Sequence, residues 1–203
     1  MNYFITAIHT DSGKTLVSAI FCEALKADYW KPFQSGVPRD SDTVQKLITN
    51  QQTKIHPEGY FFSTPVSPHA AAKKEGIATS IQNLVLPTTQ RDLIIEGAGG
   101  CLVPVNDEEF MIDVAIKFNA PVILVSNLYL GSINHSLLTY EALMKRNIRI
   151  EGIVFNGHSN PESERIILHH TKLPCLLRIR HEDEIHTTTI LRYAQELIES
   201  WKK

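Results

Sequence analysis

The stretch Ala7-Ile8-His9-Thr10-Asp11-Ser12-Gly13-Lys14-Thr15 decides how this chain folds. Before it, Tyr3–Ala7 is apolar and reads as a strand. After it, Lys14–Ala27 reads as a helix, because Leu16, Val17, Ile20, Phe21, Ala24 and Leu25 build one broad apolar face. A strand that passes through Gly-Lys-Thr into a helix is the setting of a phosphate-binding loop. Backbone N–H groups wrap the phosphate oxygens there, and the helix N-terminus adds partial positive charge. In that arrangement Asp11, Ser12, Gly13, Lys14 and Thr15 meet the nucleotide. Lys14 reaches its β- and γ-phosphates, and the Thr15 hydroxyl holds Mg²⁺. The strict pattern GxxxxGK[ST] is broken at its first position, where Ile8 replaces Gly. The reading therefore rests on the strand–loop–helix context, and the plainer alternative is an ordinary corner with an exposed lysine.

Working outward, short runs rich in Ile, Leu and Val recur at Leu93–Ile95, Val122–Ser126 and Gly152–Phe155, with a further strand at Leu176–Ile179. Such runs suit strands buried on both faces. Helical patterns lie between and after them at Ile112–Phe118, Ile133–Lys145, from Pro161, and at Ile190–Trp201. The alternation predicts an α/β fold, a mostly parallel sheet with helices on both faces, P-loop NTPase-like and forming a single domain over 1–203. Segment 32–60 is polar and less regular, as functional loops of such folds are. The second chemical signal is Asp92-Leu93-Ile94-Ile95-Glu96-Gly97-Ala98-Gly99-Gly100. A carboxylate at the C-terminal edge of a parallel sheet points into the ligand crevice, so Glu96 is a candidate for the metal shell. The bland alternative is a strand-end carboxylate capping the next turn.

The bulk numbers exclude several classes. Net charge is -2 over 203 residues, with no dense Lys/Arg run, which argues against nucleic acid or an anionic membrane as partner. Cys22, Cys101 and Cys175 form no CxxC pair and read as free thiols in a reducing compartment. No signal-peptide pattern opens the chain, and no apolar run approaches the ~20 residues of a spanning helix, so the expected location is the cytoplasm. His169-His170, His181 and His186 have no cysteine or carboxylate constellation to complete a metal site.

Several motifs in order resemble those of the dethiobiotin synthetase family. Thr10 and Gly13-Lys14-Thr15 match its phosphate loop, and Lys31-Pro32-Phe33-Gln34-Ser35-Gly36 its Lys-Pro-x-x-[Ser/Thr]-Gly segment. Asp40-Ser41-Asp42 matches its Ser-Asp metal element, and Ser67-Pro68-His69 its Ser-Pro-His. Glu96-Gly97-Ala98-Gly99-Gly100 and Gly131-Ser132-Ile133-Asn134-His135 complete the series, with Asn156 at a strand end where the family reads the base. The resemblance implies an ATP-dependent enzyme that makes a cyclic urea from 7,8-diaminopelargonate and CO₂. Lys14 and Lys31 would neutralise the transferring phosphoryl group, and Thr15, Asp42 and Glu96 would hold Mg²⁺. Thr10, Lys31, Ser35 and Gly99 would meet the diamine or its carbamate, and Gly131, Ser132 and Asn134 its carboxylate, across a homodimer with shared active sites. The chain departs from the family at Ala7, at His9, at Asp11 and in Cys175–Arg180, which lacks the family's Gly and Pro beside the base. The rival class, a partner-switched ATPase of the chromosome- or septum-positioning type, usually carries a second lysine early in the loop; Ala7–Ser12 has none.

Overall fold

The structure, a computed structural model, describes residues 1–201. β1 (Asn2–Ala7) leads into α1 (Lys14–Leu25), and β2 (Asp28–Trp30) and β3 (Phe33–Ser35) follow. Then come α2 (Asp40–Leu47), β4 (Tyr60–Phe62), α3 (Pro68–Glu75) and β5 (Leu93–Glu96). The second half is α4 (Asp113–Lys117), β6 (Val122–Asn127), α5 (Ser132–Met144), β7 (Ile150–Gly157), α6 (Pro161–Thr171), β8 (Cys175–Arg180) and α7 (Thr187–Trp201). Six strands form one parallel sheet in the order β2-β5-β1-β6-β7-β8, and β3 pairs with β4 separately. The fold is the expected α/β arrangement.

Both faces of the sheet are covered, which explains why its strands read as continuous apolar runs. Side chains alternate along β1: Ile5 joins Val17, Phe21, Tyr193 and Leu197 under α1 and α7, while Phe4 joins Met111, Val114 and Leu143 under α4 and α5. Phe21 also meets the Trp201 ring edge-on at 5.4 Å. Truncating a ring buried like this costs about 3–5 kcal/mol. The three cysteines are free.

Local signals set the boundaries. α1 stops at Leu25, short of the expected Ala27, because Lys26 turns left-handed at φ 54 and the chain enters β2. α6 begins where the Asn160 side chain accepts from Ser163 N, with Pro161 in the first turn. Strand order reverses around β1: the chain passes from β5 on one side to β6 on the other. In open parallel sheets the crevice outside the strand ends at such a point is where ligands sit.

Candidate functional site

β1 ends in the buried Ala7, and the loop that follows closes onto α1 through two left-handed residues, Asp11 at φ 58 and Gly13 at φ 95. At φ 95 a side chain on Gly13 would be strained, and a Cβ there would lie 2.3 Å from Asn156 Nδ2 and push that amide aside. The loop is pinned from below. Ser12 Oγ donates to Asn127 Oδ1 at 2.9 Å, and Asn156 Nδ2 donates to the Ser12 carbonyl at 2.9 Å. The amide nitrogen of Asn156, expected to read the base, is thus engaged with the phosphate loop. Lys14 is buried and its Nζ donates to the His9 carbonyl at 3.3 Å. Burial, and next the charge of Lys31, bring its pKa from 10.5 down to about 8, against the opposing pull of Glu96 and Asp40.

Beside the loop lies a buried charge cluster. Tyr29 pairs with Ile94 and Trp30 with Ile95 across β2 and β5, so Lys31 leaves β2 next to Glu96, the last residue of β5. Lys31 Nζ lies 2.9 Å from Glu96 Oε1 and 3.0 Å from the Gly97 carbonyl. It also lies 2.5 Å from Asp40 Oδ2. Thr15 Oγ1 donates to Glu96 Oε1 at 2.9 Å, and Tyr29 OH donates to Oε2 at 3.0 Å. Burial opposes the Lys31 charge, but Glu96 and Asp40 outweigh it and its pKa rises. Burial likewise opposes the Asp40 charge, and Lys31 reverses the balance, lowering that pKa.

Asp42, expected in the metal shell, lies away from Lys14, Lys31 and Glu96. α2 begins at Asp40, and helical residues two apart point about 200° away from each other. Asp40 turns into the crevice, whereas Asp42 is exposed and lines a separate groove with Arg39, Gln45 and Glu58.

Two separate cavities flank the phosphate loop: one of about 420 Å³ lined by Asn156, Gly157, Arg178 and Arg180, and one of about 700 Å³ lined by both lysines. The larger cavity, the crevice at the lysines, brings together Thr10, Asp11, Gly13, Lys14, Thr15, Lys31, Ser35, Asp40, Glu96 and Gly99. Ser35 Oγ is buried there with no hydrogen-bond partner among the described residues, so it has both a lone pair and a proton to offer a ligand. Gly131, Ser132 and Asn134 do not line this crevice. They open α5 beyond β6, beside a mainly apolar groove of about 450 Å³ that also takes in Thr10, Val103, His135 and Leu138. Leu102 and Leu138, which line this groove, are exposed.

The sequence reading singled out neither Tyr29 nor Asn127, and it held Asp40 inside a motif without giving it a role. The first had a legible signal: residues 29 and 31 lie two apart on an extended chain and face the same way. No such signal marked Asn127, a strand-end amide.

The AAA domain family matches residues 1–189. An ATP-dependent dethiobiotin synthetase BioD from Cytophaga hutchinsonii is 55% identical over 201 residues, covering 98% of each chain. The protein of the same description from Christiangramia forsetii is 46% identical over 197 residues, 96% of this chain and 95% of its own. Among solved structures, the septum site-determining protein MinD of Pyrococcus horikoshii, complexed with Mg-ADP, is similar with a TM-score of 0.59. That likeness covers 100% of this chain and 97% of the other at 15% identity, and it carries the fold alone.

Proposed function

The chain belongs to the ATP-dependent dethiobiotin synthetase family, and from that premise we propose how it closes the ring. The substrate in this reading is 7,8-diaminopelargonate, which with CO₂ and ATP gives dethiobiotin, ADP and phosphate through a carbamate and a carbamic–phosphoric anhydride. The observation that carries the reading is the meeting of Lys14, Lys31, Thr15 and Glu96 in one crevice with the unpartnered Ser35 hydroxyl.

Each step asks something specific of these residues. The carbamate and the γ-phosphoryl group are both anionic, so their approach needs positive charge in a dry site. Lys14 and Lys31 are cations on that path, and both are buried. Thr15, Asp40 and Glu96 present the hard oxygens that suit Mg²⁺. Bound there, the metal supplies further charge to the phosphate oxygens. Asp11, Ser12 and Gly13 cradle the phosphates, and Asn156 holds the loop in the shape that does so. Ser35, Thr10 and the backbone at Gly99 hold the diamine and its carbamate. The second amine, kept against the anhydride carbon, closes the ring by proximity, so no protein nucleophile is required.

The carboxylate of the substrate falls to Gly131, Ser132 and Asn134 of a second subunit. Two features support that assignment. These residues stand apart from the crevice within one chain, and Thr10 and Val103 line both the crevice and the apolar groove that leads to α5. Among the described residues no helix is long and apolar enough to cross a membrane. The deciding assay is phosphate release from ATP, expected to require both the diamine and bicarbonate. Release that ignores the diamine and responds to a protein, DNA or lipid partner would overturn the reading.

A further inference from the structure

Glu96 is held by more than the groups that face the ligand. Its Oε1 accepts from Thr15 and Lys31, which line the crevice, whereas among the described residues Oε2 accepts only from the Tyr29 hydroxyl at 3.0 Å. Tyr29 is 0% exposed and does not line the crevice, so it touches neither nucleotide nor diamine. Its ring is locked among Ile5, Val17, Phe21 and Ile94, side chains of the core beneath α1. The hydroxyl therefore stands at a fixed point behind the carboxylate. Water cannot replace it, because Glu96 is 1% exposed. A carboxylate with one oxygen tied from behind can turn only the other one forward.

We propose that Tyr29 is a positioning residue: its hydroxyl fixes Oε2 of Glu96 so that Oε1 alone is presented to the metal beside Thr15 and Asp40. The inference rests on the metal reading given above. It adds a residue behind the carboxylate, of the kind whose loss typically weakens metal binding ten- to a hundred-fold. Without the hydroxyl, Oε2 is a buried anion with no donor, and the carboxylate can rotate toward Lys31 and lose its aim.

The test is Tyr29→Phe, which removes one oxygen and keeps the ring. Mn²⁺ affinity of the ADP complex is measured by electron paramagnetic resonance, with metal-free ADP affinity and thermal unfolding alongside. The expected result is Mn²⁺ affinity lowered about ten-fold while metal-free ADP binding stays within about two-fold of wild type. In a Glu96→Gln background the same substitution should add nothing, because Tyr29 acts through that carboxylate. Tyr29→Phe with wild-type Mn²⁺ affinity overturns the inference and leaves the metal reading standing. Mn²⁺ binding that ignores Glu96→Gln overturns the metal reading and the inference with it. Should the variant not fold, a fluorotyrosine placed at position 29 keeps the hydroxyl. Its fluorine signal should shift when Mg²⁺ is added to the ADP complex, and an unmoved signal overturns the inference.

Discussion

Lys31→Met removes a cation that two carboxylates, Asp40 and Glu96, share. Lys31 Nζ lies 2.9 Å from Glu96, in a spot where the two side chains are 3% and 0% exposed. At an effective dielectric near 20, one contact of that length is worth about 6 kcal/mol before desolvation. The net loss is smaller. Glu96 keeps its bonds from Thr15 and Tyr29, and Asp40, 32% exposed, recovers some hydration. Removing one partner of a buried pair costs about 3–5 kcal/mol, and the retained bonds place this case near the lower end. For a chain of about 200 residues each kcal/mol moves Tm by roughly 2–4 °C, so a fall of about 6–12 °C is expected. The assay is thermal unfolding without ligands and again with ADP and Mg²⁺. Charge returned to Glu96 and Asp40 by the metal should narrow the gap. Turnover should fall far more than nucleotide binding weakens, since a transition-state cation is lost. A Tm within about 2 °C of wild type, or a deficit that metal does not change, would refute the shared-counter-ion reasoning. A variant with raised nucleotide KM and unchanged kcat would remove Lys31 from phosphoryl transfer.

Glu96→Gln should keep the fold and lose ten- to a hundred-fold or more in turnover; an unchanged rate at saturating Mg²⁺ would take Glu96 out of the site. Lys14, with its pKa lowered to about 8 by burial and Lys31, loses its charge as pH rises through that value in the free protein. Nucleotide affinity should therefore decline above about pH 8, and ligand-free stability should gain between about 8 and 10.5, where only the unfolded chain still binds the proton; an affinity flat across that range would contradict the assignment. Glu23 is buried, which pushes its pKa up, yet Lys26 and the amides of Thr49 and Asn50 hold it down at about 2. That stability is complete above about pH 4.5 and is lost as pH falls through about 2, so Glu23→Gln should cost about 2–3 kcal/mol at neutral pH and little in strong acid, read by urea unfolding at each pH. Lys14→Ala and Asn134→Ala chains, each inactive alone, should recover about a quarter of wild-type activity after verified subunit exchange, because half the dimers are mixed and each mixed dimer has one intact site; no recovery would place the whole site in one chain.

What could be read in the sequence was whatever sits contiguously on a strand end. Ala7–Thr15 and Leu93–Gly100 each carry strand, turn and reactive side chain within one short stretch, so their order along the chain already implies their place at the sheet edge. Segment 32–60 resisted because β3 and β4 have three residues each, too few for a period to show, and pair only with one another. Asp40 and Asp42 show where a motif match stops short of geometry. Both are acidic and near a serine, and only the phase of a helix that starts at Asp40 decides which one meets Lys31. Asn156 shows the complementary limit. A strand-end amide suits a base as well as a backbone carbonyl, and here its Nδ2 meets the Ser12 carbonyl while the residue also lines a cavity. Tyr29 sits on β2, and its partner Glu96 stands 67 residues along the chain at the end of β5. The cavity-lining residues at the ends of β1 and β5 were therefore legible from local pattern, whereas the contact of Tyr29 with Glu96 needed the register between β2 and β5, which no single stretch of sequence contains.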